Sequence, residues 1–412
     1  MTIDKIFHDL KIENHKDLLG FEWLNSEDSY PGTDLPFLSK DFIHIYSRQA
    51  GLSQETIDYL CCRLIPLVKS NPALARFMWH QHYLMNICVS PCRPDAGGFP
   101  QMEHLLGTDG YTYNLMLALA GYPAAGEIYK NLCIPEKIRN ETFADLRIWC
   151  DFFKQTSGVV GITPGILSWS LLYLKGKLFQ LGRLQFMPGI FRENIIVLRN
   201  MKTGNVQAFA TDKISYDATG LIVNKSEEKE SQIIGNPISP DGYIAPPKQT
   251  ISLYDWFPIV KPGDTILDIH IPASGPMTID ACANSIKQAA LFFPQHWPQY
   301  TDIKCFVCRS WLFDPQLKNI LSPESNIVKF QHEFYCFPVI HENSHDSAIW
   351  HIWGDVSQYA SVKDYPQDTS LQKAFVSFML NNGRFRCGGG FFLKEDIPFG
   401  RQIYRTHSIK QN

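Results

Sequence analysis

The sequence predicts an α+β protein, with an all-helical domain over residues 1–165 followed by a mixed-sheet α/β domain over 166–412. Three observations carry this. Between about residues 40 and 165, apolar residues recur at helical spacing behind good N-caps, and no convincing strand intervenes. From Thr265 to Ile271 the pattern alternates apolar and polar, the period of a half-buried strand. Directly after it, Ile279, Cys282, Ile286, Ala289, Ala290 and Phe293 return to helical spacing on one face.

The helical region is read in order. Ser53 caps a helix through Ile57, Leu60, Cys61 and Leu64. Asn71-Pro72 opens another through Leu74, Phe77, Met78 and Met85. Residues 111–121 and 123–132 form two runs broken by Gly121, Tyr122 and Pro123, and Asn140-Glu141 starts a helix through Phe143, Leu146, Ile148, Trp149 and Phe152. Residues 166–180 read as a helix end.

Strands are expected at Arg183–Phe186, Ile195–Leu198 and Val206–Ala210. A polar hairpin over Asp212–Tyr216 and Leu221–Val223, a charged turn at Lys225–Gln232 and a Pro-rich loop at Pro237–Pro247 follow. Lys304–Cys308 is a strand, Asp314-Pro315 opens a short helix, and Ile327–Phe334 and Trp350–Trp353 are read as further strands. Ser370 caps a helix through Leu371, Ala374, Phe375 and Phe378, and Gly388-Gly389-Gly390 reads as a turn between strands.

Composition narrows the function. The chain has 412 residues, of which 45% are hydrophobic, enough for full cores and against extensive disorder. Lys plus Arg total 38 against 41 Asp plus Glu, a net charge of −3, which supplies no overall attraction to nucleic acid or anionic membrane. Residues 1–19 are polar and no apolar run reaches membrane-spanning length. The eleven cysteines are odd in number and scattered, and Cys61, Cys62, Cys150, Cys282 and Cys305 read as buried reduced thiols. The expected location is the cytoplasm.

The strand at 265–271, loop at 272–277, helix at 278–293 and strand at 304–310 together resemble the Gcn5-related N-acetyltransferase (GNAT) fold. More closely, Gly182-Arg183-Leu184-Gln185-Phe186, Gly263-Asp264, Ile269-His270-Ile271-Pro272, Ser274-Gly275-Pro276, Cys308 to Pro315, Ser325-Asn326-Ile327 and Phe330-Gln331 are similar, in order, to stretches of acyltransferase-like proteins of gut and soil bacteria. Those proteins pair a helical N-terminal domain with a GNAT-like C-terminal domain, and the resemblance covers roughly 40–345.

The resemblance implies acetyl-CoA or another acyl-CoA as co-substrate and a small-molecule amine or hydroxyl as acceptor. It implies that the strand at 304–310 splays from the one at 265–271 and that the thioester sits in the gap. Ile271, Ala273, Ser274, Gly275 and Met277 would then hold the cofactor. The loop departs from the acetyltransferase fingerprint of Arg or Gln, two residues, Gly, one residue, then Gly or Ala. It has one glycine, Pro276 lacks an N–H, and Asp280 in the first helical turn behind Thr278 repels a pyrophosphate. The glycine run at 388–390 does not replace that fingerprint, because Phe385 stands where Arg or Gln is needed.

Acyl transfer needs a base for the acceptor, a stabilised oxyanion and a proton for the leaving thiolate. His270 is the candidate base, because its reference pKa lies closest to neutral. Ser310 or Cys308 is the candidate acid. Arg183 and Gln185 share a strand face and, with Trp311 and Gln331, are candidates for contacting the acceptor, from a cleft between the domains. Each has a competing structural reading: a hydrogen-bonded histidine, packed Cys and Ser side chains, an arginine paired with a carboxylate, a core tryptophan, and for Asp314 a helix cap. His80, His82, Cys88 and Cys92 do not match a zinc spacing, and His341, His345 and His351 read as a loop patch. Three functions compete: a GNAT-like acyltransferase, a non-catalytic GNAT-like binding protein that has lost the CoA loop, and a hydrolase of acylated compounds without a nucleophile signature.

Overall fold

A computed structural model describes residues 2–12, 20–88, 99–211, 215–216, 222–223, 231–340 and 343–406. The chain divides into two units, Met1–Gln180 and Leu181–Asn412. The helix Pro164–Leu174 runs through position 165, where the domain boundary was expected, because Thr163 caps it and its apolar sequence continues unbroken to Leu174. Cys92, His341 and the charged run at 225–230 lie outside the described residues.

The first unit is helical. Ser53 Oγ accepts the Thr56 N–H and Asn71 Oδ1 accepts the Leu74 N–H, so both expected caps start their helices, Gln54–Tyr59 and Pro72–His82. Each continues through a π-helical turn, Leu60–Leu64 and Tyr83–Ile87. The helix Asp109–Ala120 is buried almost all round, which explains why its sequence shows little amphipathic contrast. Buried tyrosines brace this unit: Tyr113 donates to Gln81 Oε1 at 2.5 Å, Tyr122 to Phe143 O at 2.8 Å and Tyr129 to Tyr173 O at 3.0 Å. Two helices, Glu136–Phe143 and Asp145–Ser157, stand where one was expected from Asn140. Ala144 ends one and begins the next, leaving no break in the apolar pattern.

The second unit is α/β. Its strands, with one straddling the division, are β1 (Phe179–Leu181), β2 (Leu184–Ile190), β3 (Ile195–Asn200), β4 (Val206–Ala210), β5 (Ser215–Tyr216), β6 (Ile222–Val223) and β7 (Gln232–Ile238). They continue as β8 (Gln249–Ser252), β9 (Trp256–Val260), β10 (Thr265–His270), β11 (Cys305–Ser310), β12 (Tyr335–Pro338) and β13 (Gly388–Leu393). One six-stranded sheet has the order β1-β2-β10-β11-β13-β12, a five-stranded sheet the order β8-β7-β4-β3-β9, and β5 pairs with β6. The six-stranded sheet is mixed: β10 and β11 are parallel, while β2 and β13 flank them antiparallel. The parallel crossover is the helix Ile279–His296, capped by Thr278 as expected, with Cys282, Ile286, Ala289 and Phe293 buried.

Several local expectations are corrected. The stretch 327–334 is the helix Asn326–His332, started by Ser325, whose Oγ accepts the Val328 N–H. The stretch 350–353 is the end of the helix Ser344–Trp353. Both are short apolar runs, which periodicity alone does not assign to helix or strand. Thr369, not Ser370, caps the helix Ser370–Leu380, in a capping box with Gln372.

The glycine run is β13 itself, in the interior of the sheet between β11 and β12. A Cβ on Gly388 would lie 2.1 Å from Phe313 O, one on Gly389 2.3 Å from the Phe337 ring and one on Gly390 2.4 Å from the Phe313 ring. The run is glycine because neighbouring aromatics and backbone occupy the space a side chain would need.

Candidate acyl-transfer site

The parallel ladder between β10 and β11 ends at the pair Ile269–Cys308. Each strand stays joined to its outer neighbour beyond that point. β10 pairs once more with β2, His270 opposite Gln185, and β11 twice more with β13, Arg309 opposite Gly389 and Ser310 opposite Gly388. The two central strands therefore stop pairing at His270 and Arg309, the level at which the resemblance places the splay.

His270 closes β10 at this break. The residue is half-buried, and its ring Nε2 is shut off from solvent. Burial first, and the Arg309 charge second, lower its pKa to about 4. The imidazole is neutral at pH 7, ready to accept a proton but a weak base until a ligand changes its surroundings.

Below it on the same face, a charge cluster is built from three elements. Arg309 donates through Nε and Nη2 to Glu193, at 2.5 and 3.0 Å, and through Nη1 to the Asp268 carboxylate. Burial raises the Asp268 pKa against the opposing pull of Arg309. Asp268 and Arg309 are functional-site candidates that sequence reasoning passed over. The signal was present, since Asp268 and His270 lie two apart on one strand and Arg309 sits inside the Cys308–Pro315 stretch.

Cys308 is buried on β11 and its thiol is pushed far up by burial. Ser310 Oγ accepts the Leu312 N–H at 3.2 Å, which caps the 3-10 turn Trp311–Phe313, and among the described residues no acceptor takes its hydroxyl proton. Trp311 packs edge-on to Phe375, with ring centroids 5.7 Å apart, against a cluster that includes Leu317, Ala348 and Trp353. Gln331 is buried, and its amide donates to Leu312 O and Asp314 O. Asp314 is also buried, accepting the N–H groups of Gln316 and Arg386, a turn-capping role.

The loop 272–277 follows His270, and Ala273, Ser274, Gly275 and Pro276 are exposed while Met277 is buried. Gly275 has φ +113°, a conformation that favours glycine. Among the described residues, no protein acceptor takes the backbone N–H of Ile271, Ala273, Ser274, Gly275 or Met277. Arg183 reaches this loop, with its guanidinium on the carbonyls of Pro272, Gly275 and Pro276. Gln185 is buried opposite His270.

The histidines of the helical unit are engaged otherwise: His80 Nδ1 is 2.7 Å from Ser26 Oγ, and His82 Nδ1 is 3.1 Å from Asn86 Nδ2. Among the described residues no group of three or more His, Cys, Asp or Glu is gathered as a metal site. Cys62 is exposed, not buried as expected, while Cys61, Cys150, Cys282 and Cys305 are buried. No helix among the described residues is long and apolar enough to cross a membrane.

A sheet whose central parallel strands stop pairing beside a loop and helix, in a chain that also carries a helical unit, defines an acyltransferase-type fold. The chain belongs to the family with a GNAT-like C-terminal domain, whose model matches residues 178–392, and an N-acyltransferase N-terminal domain matches residues 48–176. Its solved structural neighbours include an acyltransferase in complex with decanoyl-CoA and teicoplanin, at TM-score 0.66 and 18% identity over 95% of this chain and 99% of that one. Another is an acyltransferase with CoA and 10C-teicoplanin, at TM-score 0.65 and 19% identity over 95% and 99% of the two chains. A third, with decanoyl-CoA, has TM-score 0.63 and 18% identity with the same coverage. No curated protein sequence matches the chain.

Proposed function

We propose that the protein transfers an acyl group from acyl-CoA to an amine or hydroxyl of a small molecule. The observation that carries this reading is the end of the β10–β11 ladder at Ile269–Cys308 beside a loop whose amides have no protein acceptor among the described residues. The N–H groups of Ala273, Ser274, Gly275 and Met277, which no protein group among those described accepts, suit phosphate oxygens, and the break between the strands suits a pantetheine arm. The acyl-CoA ligands of the structural neighbours support the donor class.

In this reading the thioester carbonyl lies at the break and the Ile271 N–H faces its oxygen. The acceptor nitrogen or oxygen attacks the carbonyl carbon and gives its proton to His270. The tetrahedral intermediate then collapses, the C–S bond breaks, and the CoA thiolate takes a proton. Ser310 is the better donor of that proton, because the Cys308 thiol is buried and holds its proton tightly. Burial first, and the charge of Arg309 clamped by Glu193 and Asp268 second, keep His270 neutral in the resting state.

The non-catalytic reading retains one observation in its favour: Asp280 sits in the first turn of the helix behind the loop, where a pyrophosphate would have to approach. Calorimetry with CoA and acetyl-CoA decides between binding and none. Absence of binding at millimolar ligand removes the acyl-CoA reading. Binding of acetyl-CoA without CoA release in the presence of any of a panel of amines and alcohols favours the non-catalytic one.

A further inference from the structure

Arg183 donates from all three guanidinium nitrogens into one loop. Nε reaches Pro276 O at 3.2 Å, Nη1 reaches Pro272 O at 2.9 Å and Nη2 reaches Gly275 O at 2.8 Å. The arginine is itself held in place. The Arg183 and Leu184 N–H groups both donate to Ser285 Oγ, at 2.7 and 3.2 Å. Ser285 in turn donates to Ala281 O at 3.0 Å within the helix Ile279–His296. The start of β2, the loop and the front of the helix are thus tied into one network.

The consequence lies in peptide geometry. A trans peptide holds its C=O and N–H pointing in opposite directions, and neither peptide here is cis. Drawing the Pro272 and Pro276 carbonyls onto the guanidinium therefore turns the Ala273 and Met277 N–H groups away from it. That is the side on which no protein group among those described accepts them. The loop's own sequence, with one glycine, two prolines and no arginine, does not enforce this aim.

We propose that Arg183 is the positioning residue for the acyl-CoA pyrophosphate. It supplies, from the turn that leads into β2, the arginine that the loop lacks, and it directs the loop N–H donors toward the ligand. This inference rests on the acyl-CoA reading above, and it replaces direct contact with the acceptor as the role of Arg183.

The test compares two ligands that differ in the pyrophosphate, CoA and pantetheine, by calorimetry on wild-type protein, Arg183→Met and Arg183→Lys. Wild type binds both. Arg183→Met loses at least tenfold in CoA affinity with pantetheine affinity unchanged, and Arg183→Lys, which keeps the charge without the planar fork, falls between. If wild type binds no CoA, the acyl-CoA reading itself fails. If wild type binds CoA and both variants bind it equally well, or if the variants lose CoA and pantetheine in the same proportion, the positioning role alone is overturned. Should Arg183→Met not fold, the CoA-to-pantetheine ratio of Arg183→Lys makes the same decision.

Discussion

Arg309 on β11 reaches across the last stretch of the parallel ladder to the Asp268 carboxylate on β10, and its remaining donors grip Glu193. One cation thus holds two part-buried carboxylates from different segments at the point where the central strands part.

Removing that cation leaves two carboxylates facing each other with little water. Arg309→Met is expected to destabilise the protein by about 3 kcal/mol. Asp268→Asn relieves the crowding and keeps a hydrogen-bond acceptor, so it costs roughly 1 kcal/mol. Urea unfolding midpoints of the two variants check the order.

His270 gives a pH prediction. Burial and Arg309 lower its pKa to about 4, and burial lowers that of His82 to about 4. The unfolded chain binds these protons near pH 6.5 and the folded chain does not, so stability is full above about 6.5 and falls as pH drops toward 4. Each histidine contributes at most about 1.4 kcal/mol per pH unit in that window. His270→Asn and His82→Asn, measured as unfolding free energy against pH, should each flatten the slope. In Arg309→Met the His270 imidazole, followed by NMR, should titrate closer to its ordinary value.

As the proposed base, His270 is also expected to control turnover. His270→Ala should lower CoA release from acyl-CoA by about 100-fold once an acceptor is found, with CoA affinity near wild type. Equal turnover in the variant would remove it from that role. Ser310→Ala should cost less.

The glycines of β13 offer a packing test. Gly388→Ala drives a methyl into Phe313 O and should destabilise by about 2–3 kcal/mol. Gly126→Ala has open space on the helix Tyr122–Asn131 and should stabilise by about 0.5–1 kcal/mol. Thermal unfolding of the two variants should move in opposite directions.

Thiol chemistry follows burial. A neutral-pH maleimide label should reach Cys62 and Cys133, both exposed, and leave Cys282, Cys305 and Cys308 unmodified in native protein. Peptide mass mapping reads the pattern. Rapid labelling of Cys308 would show that its thiol is reachable and revive it as the acid.

Much of the architecture was legible because it is written in local periodicity. The caps at Ser53, Asn71 and Thr278 appear where the sequence puts them, as do β10, the crossover helix and β11. Where local signals are short, they misled. Phe330 and Trp353 sit in apolar runs of a few residues, and only packing made those runs helices. The glycines of β13 carry no periodicity, and the aromatics that require them come from distant parts of the chain.

The sequence by itself determined the class of fold, the order of strand, loop, helix and strand, and the presence of a histidine at the strand end. Tertiary structure decided what those residues do. A strand pattern does not say where a parallel ladder stops, because that depends on the neighbours on either side. Nor does it say that Arg183, far from the loop in sequence, holds three of its carbonyls, or that Arg309 clamps Asp268 and Glu193 beneath His270. Hydrogen bonds and charges act over a few ångströms, and chain separation sets no limit on which residues fall within that range.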